Sequence, residues 1–185
     1  MDKKQIRKMM LERRRDMTRD AVMDKSLQIS EKVLASSEYN RAERIFTFIS
    51  FDNEVDTGWL IRRALADGKK VAAPLVKNGT MMFRFFTLSD ELEDGQFGIK
   101  EPSENLPKAY AKKDRTLVIM PGTAFDRKRN RIGFGKGYYD KWLAERPGLN
   151  KIALAFDIQI YDGVIPSKPH DIKPDRIYTE SEVIE

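Results

Sequence analysis

The sequence predicts an α/β fold: a mostly parallel open sheet with helices on both faces, three layers in all, formed as a single domain over residues 1–185. Three observations predict it. Short, nearly continuous apolar runs, of which TLVIM at 116–120 is the clearest, have the length and composition of strands covered on both sides. A strand, helix, strand unit over 44–76 implies a parallel pair joined by a right-handed crossover. Finally, 185 residues with 41% hydrophobic content suffice for one ordinary core.

The elements follow in chain order. The opening segment has helical spacing, with Ile6, Met9 or Met10, and Met17 on a sparse apolar side, and Lys3, Arg7 and Arg14 stacked on another. Like charges four apart, Lys3 with Arg7 and Lys4 with Lys8, disfavour an isolated helix, a cost that a bound anion would remove. A second helix is expected from Thr18 as N-cap to about Ser36, burying Val22, Ile29 and Val33. RIFTFIS at 44–50 reads as a buried strand. FDNEVDT then breaks the pattern, and Asp56 or Thr57 can cap a helix through Leu60, Ile61, Ala64 and Leu65 that Gly68 closes. Residues 70–76 form the next strand, and MMFRFF at 81–86 a further one, with a helix as its alternative. The polar, turn-rich stretch 89–114 predicts an ordered loop with little regular structure. After the strand at 116–120 come a helix at 138–146 and strands at 151–157 and 176–179; no internal repeat is visible.

Composition excludes several chemistries. With no cysteine, the chain has no disulfide, no thiolate zinc site and no cysteine nucleophile, so any metal is held by oxygen or by the one histidine, His170. Charged residues punctuate the opening segment, and no run approaches the ~20 apolar residues of a membrane span. A soluble, cytoplasmic protein without a membrane partner is therefore expected. The net charge of +5 is local: residues 1–19 hold eight Lys and Arg against three Asp and Glu, leaving the remainder balanced. A basic arm on a neutral body suits nucleic acid, yet that segment has no aromatic residue to stack on bases, and a solvated helix or an anion-binding face reads it as well.

The chemistry concentrates in RIGFGKGYYD at 131–140. Three alternating glycines would cost a helix roughly 2 to 3 kcal/mol, so they serve positive φ angles or the close approach of a ligand to the main chain. Arg131 and Lys136 make that ligand anionic. The loop lies beyond the carboxyl end of a predicted strand, where open α/β sheets bind ligands. Its spacing is neither that of a P-loop, since Lys136 is followed by Gly137, nor that of a dinucleotide fingerprint, since Tyr138 and Asp140 stand where a third glycine is needed. An atypical anion cradle remains, set against the alternative of a tight connection. Asp140 can favour the helix dipole, or hold Mg²⁺ beside a phosphate. Of Tyr138 and Tyr139, one can pack and the other face the ligand. Asp126 suits an organiser of the loop and His170 a general base or a loop-positioning residue.

The run PGTAFDRKRNRIGFGKGYYD at 121–140 resembles the signature of the 5-formyltetrahydrofolate cyclo-ligase family. The likeness extends to K-x-x-x-R at Lys3 to Arg7, NEVDT at 53–57, GKKVAAP at 68–74, FGIKEP at 97–102 and HDIKPD at 170–175. It implies an enzyme that uses ATP and Mg²⁺ to close 5-formyltetrahydrofolate to 5,10-methenyltetrahydrofolate. By that resemblance ATP is held by Lys3, Lys4 and Arg7 and by Arg131, Ile132, Gly133, Phe134, Gly135, Lys136, Gly137, Tyr138 and Tyr139. Arg131 and Lys136 would stabilise the transferring phosphoryl group, and Asp140 and Asp171 would ligate magnesium. Ile49, Glu54, Phe134, Gly135, Lys136, Gly137 and Tyr138 would line the folate site, Glu54 accepting paired N–H donors from an aminopyrimidinone ring. Small-molecule partners, no nucleic acid and a monomer are expected. The cradle alone also suits a kinase for another small substrate, and the basic opening alone an RNA-binding protein.

Overall fold

Asp2 and Gln5 close a capping box at the start of α1 (Lys3–Arg15): the Asp2 side chain accepts the Gln5 N–H at 2.8 Å and the Gln5 side chain accepts the Asp2 N–H at 2.9 Å. The computed structural model describes residues 1–95 and 98–185, so Phe97 of the FGIKEP motif lies outside the described residues. Thr18 caps α2 (Arg19–Leu34), accepting from Ala21 N–H at 3.2 Å, and Val22, Ile29 and Val33 are buried as the spacing predicts. The structure adds a short α3 (Ser37–Arg41), restarted on Ser36.

β1 (Arg44–Phe46) is shorter than the predicted 44–50, because beyond Phe46 the chain leaves the ladder to build a loop. In that loop Asp56, not Thr57, supplies the cap of α4 (Gly58–Ala66): Asp56 Oδ1 accepts the Gly58 N–H at 2.8 Å, while the Thr57 hydroxyl donates to Phe48 O at 2.9 Å. β2 (Lys70–Lys77) and β3 (Thr80–Phe86) form an antiparallel hairpin, which decides MMFRFF for strand. The stretch expected to be irregular contains a small hairpin, β4 (Leu92–Asp94) with β5 (Lys100–Pro102). β6 (Thr116–Met120) is where the sequence puts it. Then come β7 (Ala124–Asp126) and β8 (Arg131–Ile132), α5 (Tyr138–Ala144), β9 (Asn150–Leu154), β10 (Ile160–Tyr161), β11 (Arg176–Tyr178) and β12 (Val183–Ile184).

The main sheet has seven strands in the order β12-β11-β9-β6-β1-β2-β3, parallel except at its two outermost pairs. Strand side chains alternate between two cores. Ile45, Val71, Leu117, Ile119, Ile152 and Leu154 pack against α2 and α4; Phe46, Ala72, Val118, Met120 and Ala153 pack against Tyr139, Trp142 and Leu143 of α5. This places helices on both faces, in agreement with the predicted fold class. Because β1 connects onward to β2 on one side while β6 lies on its other side, strand order reverses between β1 and β6, the place where open sheets carry their ligand crevice.

Candidate functional site

The loops beyond the carboxyl ends of β1 and β6 flank that crevice. The loop after β1 carries Ile49 and Glu54; the chain after β6 passes through the β7–β8 hairpin and reaches Gly133, Gly135 and Gly137. Asp126 organises the hairpin, since its buried carboxylate accepts the N–H groups of Lys128 (2.9 Å), Asn130 (2.8 Å) and Ile165 (2.8 Å) and the Asn130 side-chain amide (2.7 Å). Against the small sheet that β10, β7 and β8 form, α1 packs Ile6 and Met10, which meet Ala124, Ile132 and Ile165 in a cluster of their own. Met9 is only partly buried there, so Met10 is the core residue of the two. This packing brings the first residues of the chain to the glycine loop.

The contacts are specific. Arg7 Nε donates to Gly133 O at 2.9 Å, and the rest of its guanidinium lies beside Gly135. Gly135 and Gly137 have φ of +103° and +67°, so two of the three alternating glycines serve the backbone geometry the sequence suggests. Lys136 and Phe134 are exposed, Lys136 without an ion pair or hydrogen bond among the described residues. Lys4 is exposed and shares a shallow hollow on α1 with Arg7. Ile132 is core, so only its main chain can meet a ligand. Tyr139 packs edge-on to Phe83 at 6.2 Å, its buried hydroxyl finding no partner among the described residues, while Tyr138 is partly buried.

The carboxylates are arranged by cations. Arg131 grips both oxygens of Asp140 at 3.0 and 2.9 Å and donates to Pro121 O at 3.1 Å; Ile172 N–H donates to Asp140 Oδ1 at 2.9 Å, drawing the neighbouring Asp171 toward the same region. Asp171 Oδ2 accepts from Lys3 Nζ and from Lys168 N–H, both at 2.5 Å. Burial alone would raise the Asp171 pKa, but these two bonds and the charges of Lys3 and His170 outweigh it and hold the carboxyl below its ordinary value. His170 itself is exposed. Glu54 is the opposite case: burial pushes its carboxyl up to about 7, with Asp52 adding to the rise, while the charge of Arg14 and the Phe51 N–H pull it down.

The sequence pattern of the 5-formyltetrahydrofolate cyclo-ligase family matches residues 1–180. The chain belongs to that family. It is similar to mouse 5-formyltetrahydrofolate cyclo-ligase, 31% identical with 96% of this chain and 93% of the relative covered, and to the Escherichia coli protein of the same name, 27% identical over 96% and 100%. The solution NMR structure of Aquifex aeolicus 5,10-methenyltetrahydrofolate synthetase superposes with a TM-score of 0.84 at 28% identity, covering 99% of this chain and 92% of that one. Family membership makes the chain a ligase of folate one-carbon metabolism. Among the described residues no helix is long and apolar enough to cross a membrane.

A cyclo-ligase loop built this way has a testable weak point. Gly135→Ala is expected to cost about 1 to 3 kcal/mol of backbone strain, because its φ of +103° is one side chains rarely adopt, whereas the new Cβ would meet Arg7 only at an ordinary contact distance of 3.6 Å. Thermal melts should show the lower midpoint.

Proposed function

We propose that the chain cyclises 5-formyltetrahydrofolate to 5,10-methenyltetrahydrofolate with ATP consumed to ADP and phosphate. The contact that carries this reading is Arg7 on Gly133, which unites the basic face of α1 with the glycine loop at the sheet's crevice. A formamide oxygen is a very poor leaving group. Transfer of the γ-phosphoryl group to that oxygen makes the carbon electrophilic; N10 attacks it, the C–O bond breaks and phosphate carries the oxygen away. Catalysis of such a transfer is chiefly alignment and stabilisation of spread negative charge. Lys136, Lys3, Arg7 and the amides of the loop supply that charge complement, and Arg131 holds Asp140 in place beneath them.

Magnesium fits the donor set in kind, since Asp140 and Asp171 are oxygen ligands and this ion takes one or two carboxylates, completing its shell with phosphate oxygens and water. Asp171 Oδ1 accepts no hydrogen bond among the described residues and is the oxygen open to it. When bound, the ion would neutralise charge on the transferring phosphoryl group. The folate would lie toward Ile49 and Glu54, across the crevice from the nucleotide. The chain acts in this reading as a single-domain monomer in the cytoplasm, its partners small molecules and not nucleic acid.

The test mixes protein, MgATP and 5-formyltetrahydrofolate and follows the near-ultraviolet absorption of the methenyl product. Growth of that band with matching ADP release is expected. ATP hydrolysis with another acceptor and no absorbance gain would reject the ligase in favour of a kinase.

A further inference from the structure

Arg14 belongs to the basic stripe of Lys3 and Arg7 but is 3% exposed, a burial unusual for an arginine without a partner. Its guanidinium makes no hydrogen bond or ion pair among the described residues. The loop after β1 holds it there. Asn53 Nδ2 donates to carbonyls at and just beyond the end of α1, Arg14 O at 3.2 Å, Met17 O at 3.3 Å and Arg15 O at 3.4 Å, and so fastens the helix terminus to the loop bearing Glu54. Glu54 is 6% exposed; its Oε2 accepts the Phe51 N–H at 3.0 Å, and its Oε1 accepts nothing among the described residues. Arg14 and Glu54 feel each other's charge, yet no ion pair joins them. Two opposite charges on nearly buried residues, kept out of contact, leave a fork of donors and a carboxylate oxygen without a protein partner among the described residues, a pair that a polar ligand between them would satisfy.

We infer that Arg14 is a specificity-determining residue of the folate site, donating to the 4-oxo oxygen of the aminopyrimidinone edge whose 2-amino and N3–H groups Glu54 accepts. The pattern matches: the ring edge reads donor, donor, acceptor, and Glu54 with Arg14 reads acceptor, acceptor, donor. A site made this way rejects a ring that presents a donor where the oxygen belongs. The inference rests on the placement of folate at Glu54 given above.

The experiment measures equilibrium binding, without nucleotide, of 5-formyltetrahydrofolate and of its 2,4-diamino counterpart to wild type, Arg14→Met and Arg14→Lys. Wild type should prefer the oxo ring. Arg14→Met should weaken oxo binding about ten- to a hundredfold, the loss expected of a hydrogen bond from a charged donor, and shift the oxo-to-diamino ratio by a similar factor. In turnover KM should rise with kcat little changed, and Arg14→Lys, which keeps a cation, should recover part of the preference. A merely structural arginine would lower the melting midpoint without moving the ratio. An unchanged ratio in Arg14→Met overturns the assignment, and so does tighter binding of the diamino ring by wild type, a measurement that stands even if the variant does not fold. Absence of methenyl product from wild type would instead overturn the proposed function; product formed normally with an unchanged ratio removes Arg14 alone.

Discussion

Lys136→Ala should leave the fold intact and lower kcat by about 10² to 10³, the usual loss when one preorganised charge-stabilising group is removed from a transition state. Nothing folded depends on this side chain: it is exposed and, among the described residues, unpaired. Its backbone lies between two residues of positive φ, Gly135 and Gly137, which turn the loop there. The effect should therefore fall on phosphoryl transfer and not on stability. Single-turnover formation of ADP in the presence of 5-formyltetrahydrofolate measures it directly, with an unchanged melting midpoint as control. A variant that turns over at the wild-type rate would remove Lys136 from the chemistry.

Glu54→Gln should trade affinity for stability. Paired N–H donors are best accepted by the ionised carboxylate, so the variant should bind 5-formyltetrahydrofolate about ten- to a hundredfold more weakly above neutral pH. In wild type KM for the folate should fall as pH rises through about 7, where burial has pushed the carboxyl, and the variant should lack this dependence. The groups bearing on Glu54 are Arg14 from α1, Asp52 and the Phe51 N–H from its own loop, and Tyr139 across the crevice, which senses its charge.

Stability carries the opposite sign. The carboxyl has an ordinary pKa of 4.5 unfolded and one of about 7 folded, so the folded protein binds the extra proton between those values. Stability is fully present below 4.5 and is lost as pH climbs through about 7. Glutamine does not titrate. The variant's melting midpoint should rise relative to wild type from pH 5 to pH 8, by the equivalent of roughly 3 kcal/mol at most. A constant difference across that range would mean that Glu54 is not held as the structure places it.

Much of this was legible before any coordinates. The stripe of Val22, Ile29 and Val33 and the cap at Thr18 are local signals, complete within one helix, and both appear as read. The apolar run at 116–120 is a central strand for the same reason: it is buried on both faces and its composition says so. The short pairings behaved differently. β7, β8 and β10 have two or three residues each, and β10 joins β7 across more than thirty positions, so no local pattern marks them. The β4–β5 hairpin sits in a polar stretch, its strands LED and KEP having no apolar alternation to read.

The site divides in the same way. The alternating glycines announced a backbone that side chains would obstruct, and Lys3 and Arg7 showed themselves as one face of a helix. Their partners, Asp171 and Gly133, lie more than a hundred residues away and could be paired only by the packing of Ile6 and Met10 on the small sheet. Arg131 and Asp140 each read as a ligand group in the sequence, and only the fold shows that they are joined in an ion pair. Arg14 was visible only as the third member of a basic stripe.

From its residues alone this protein has an α/β sheet, helices on two faces and a glycine loop of unusual backbone, because burial pattern and backbone geometry are written in neighbouring side chains. Tertiary structure alone decided that the opening helix closes over that loop, that Arg131 serves Asp140, and that Arg14 and Glu54 are buried within reach of each other's field. Those are consequences of desolvation and of charge acting through space, and neither can be computed from distance along the chain.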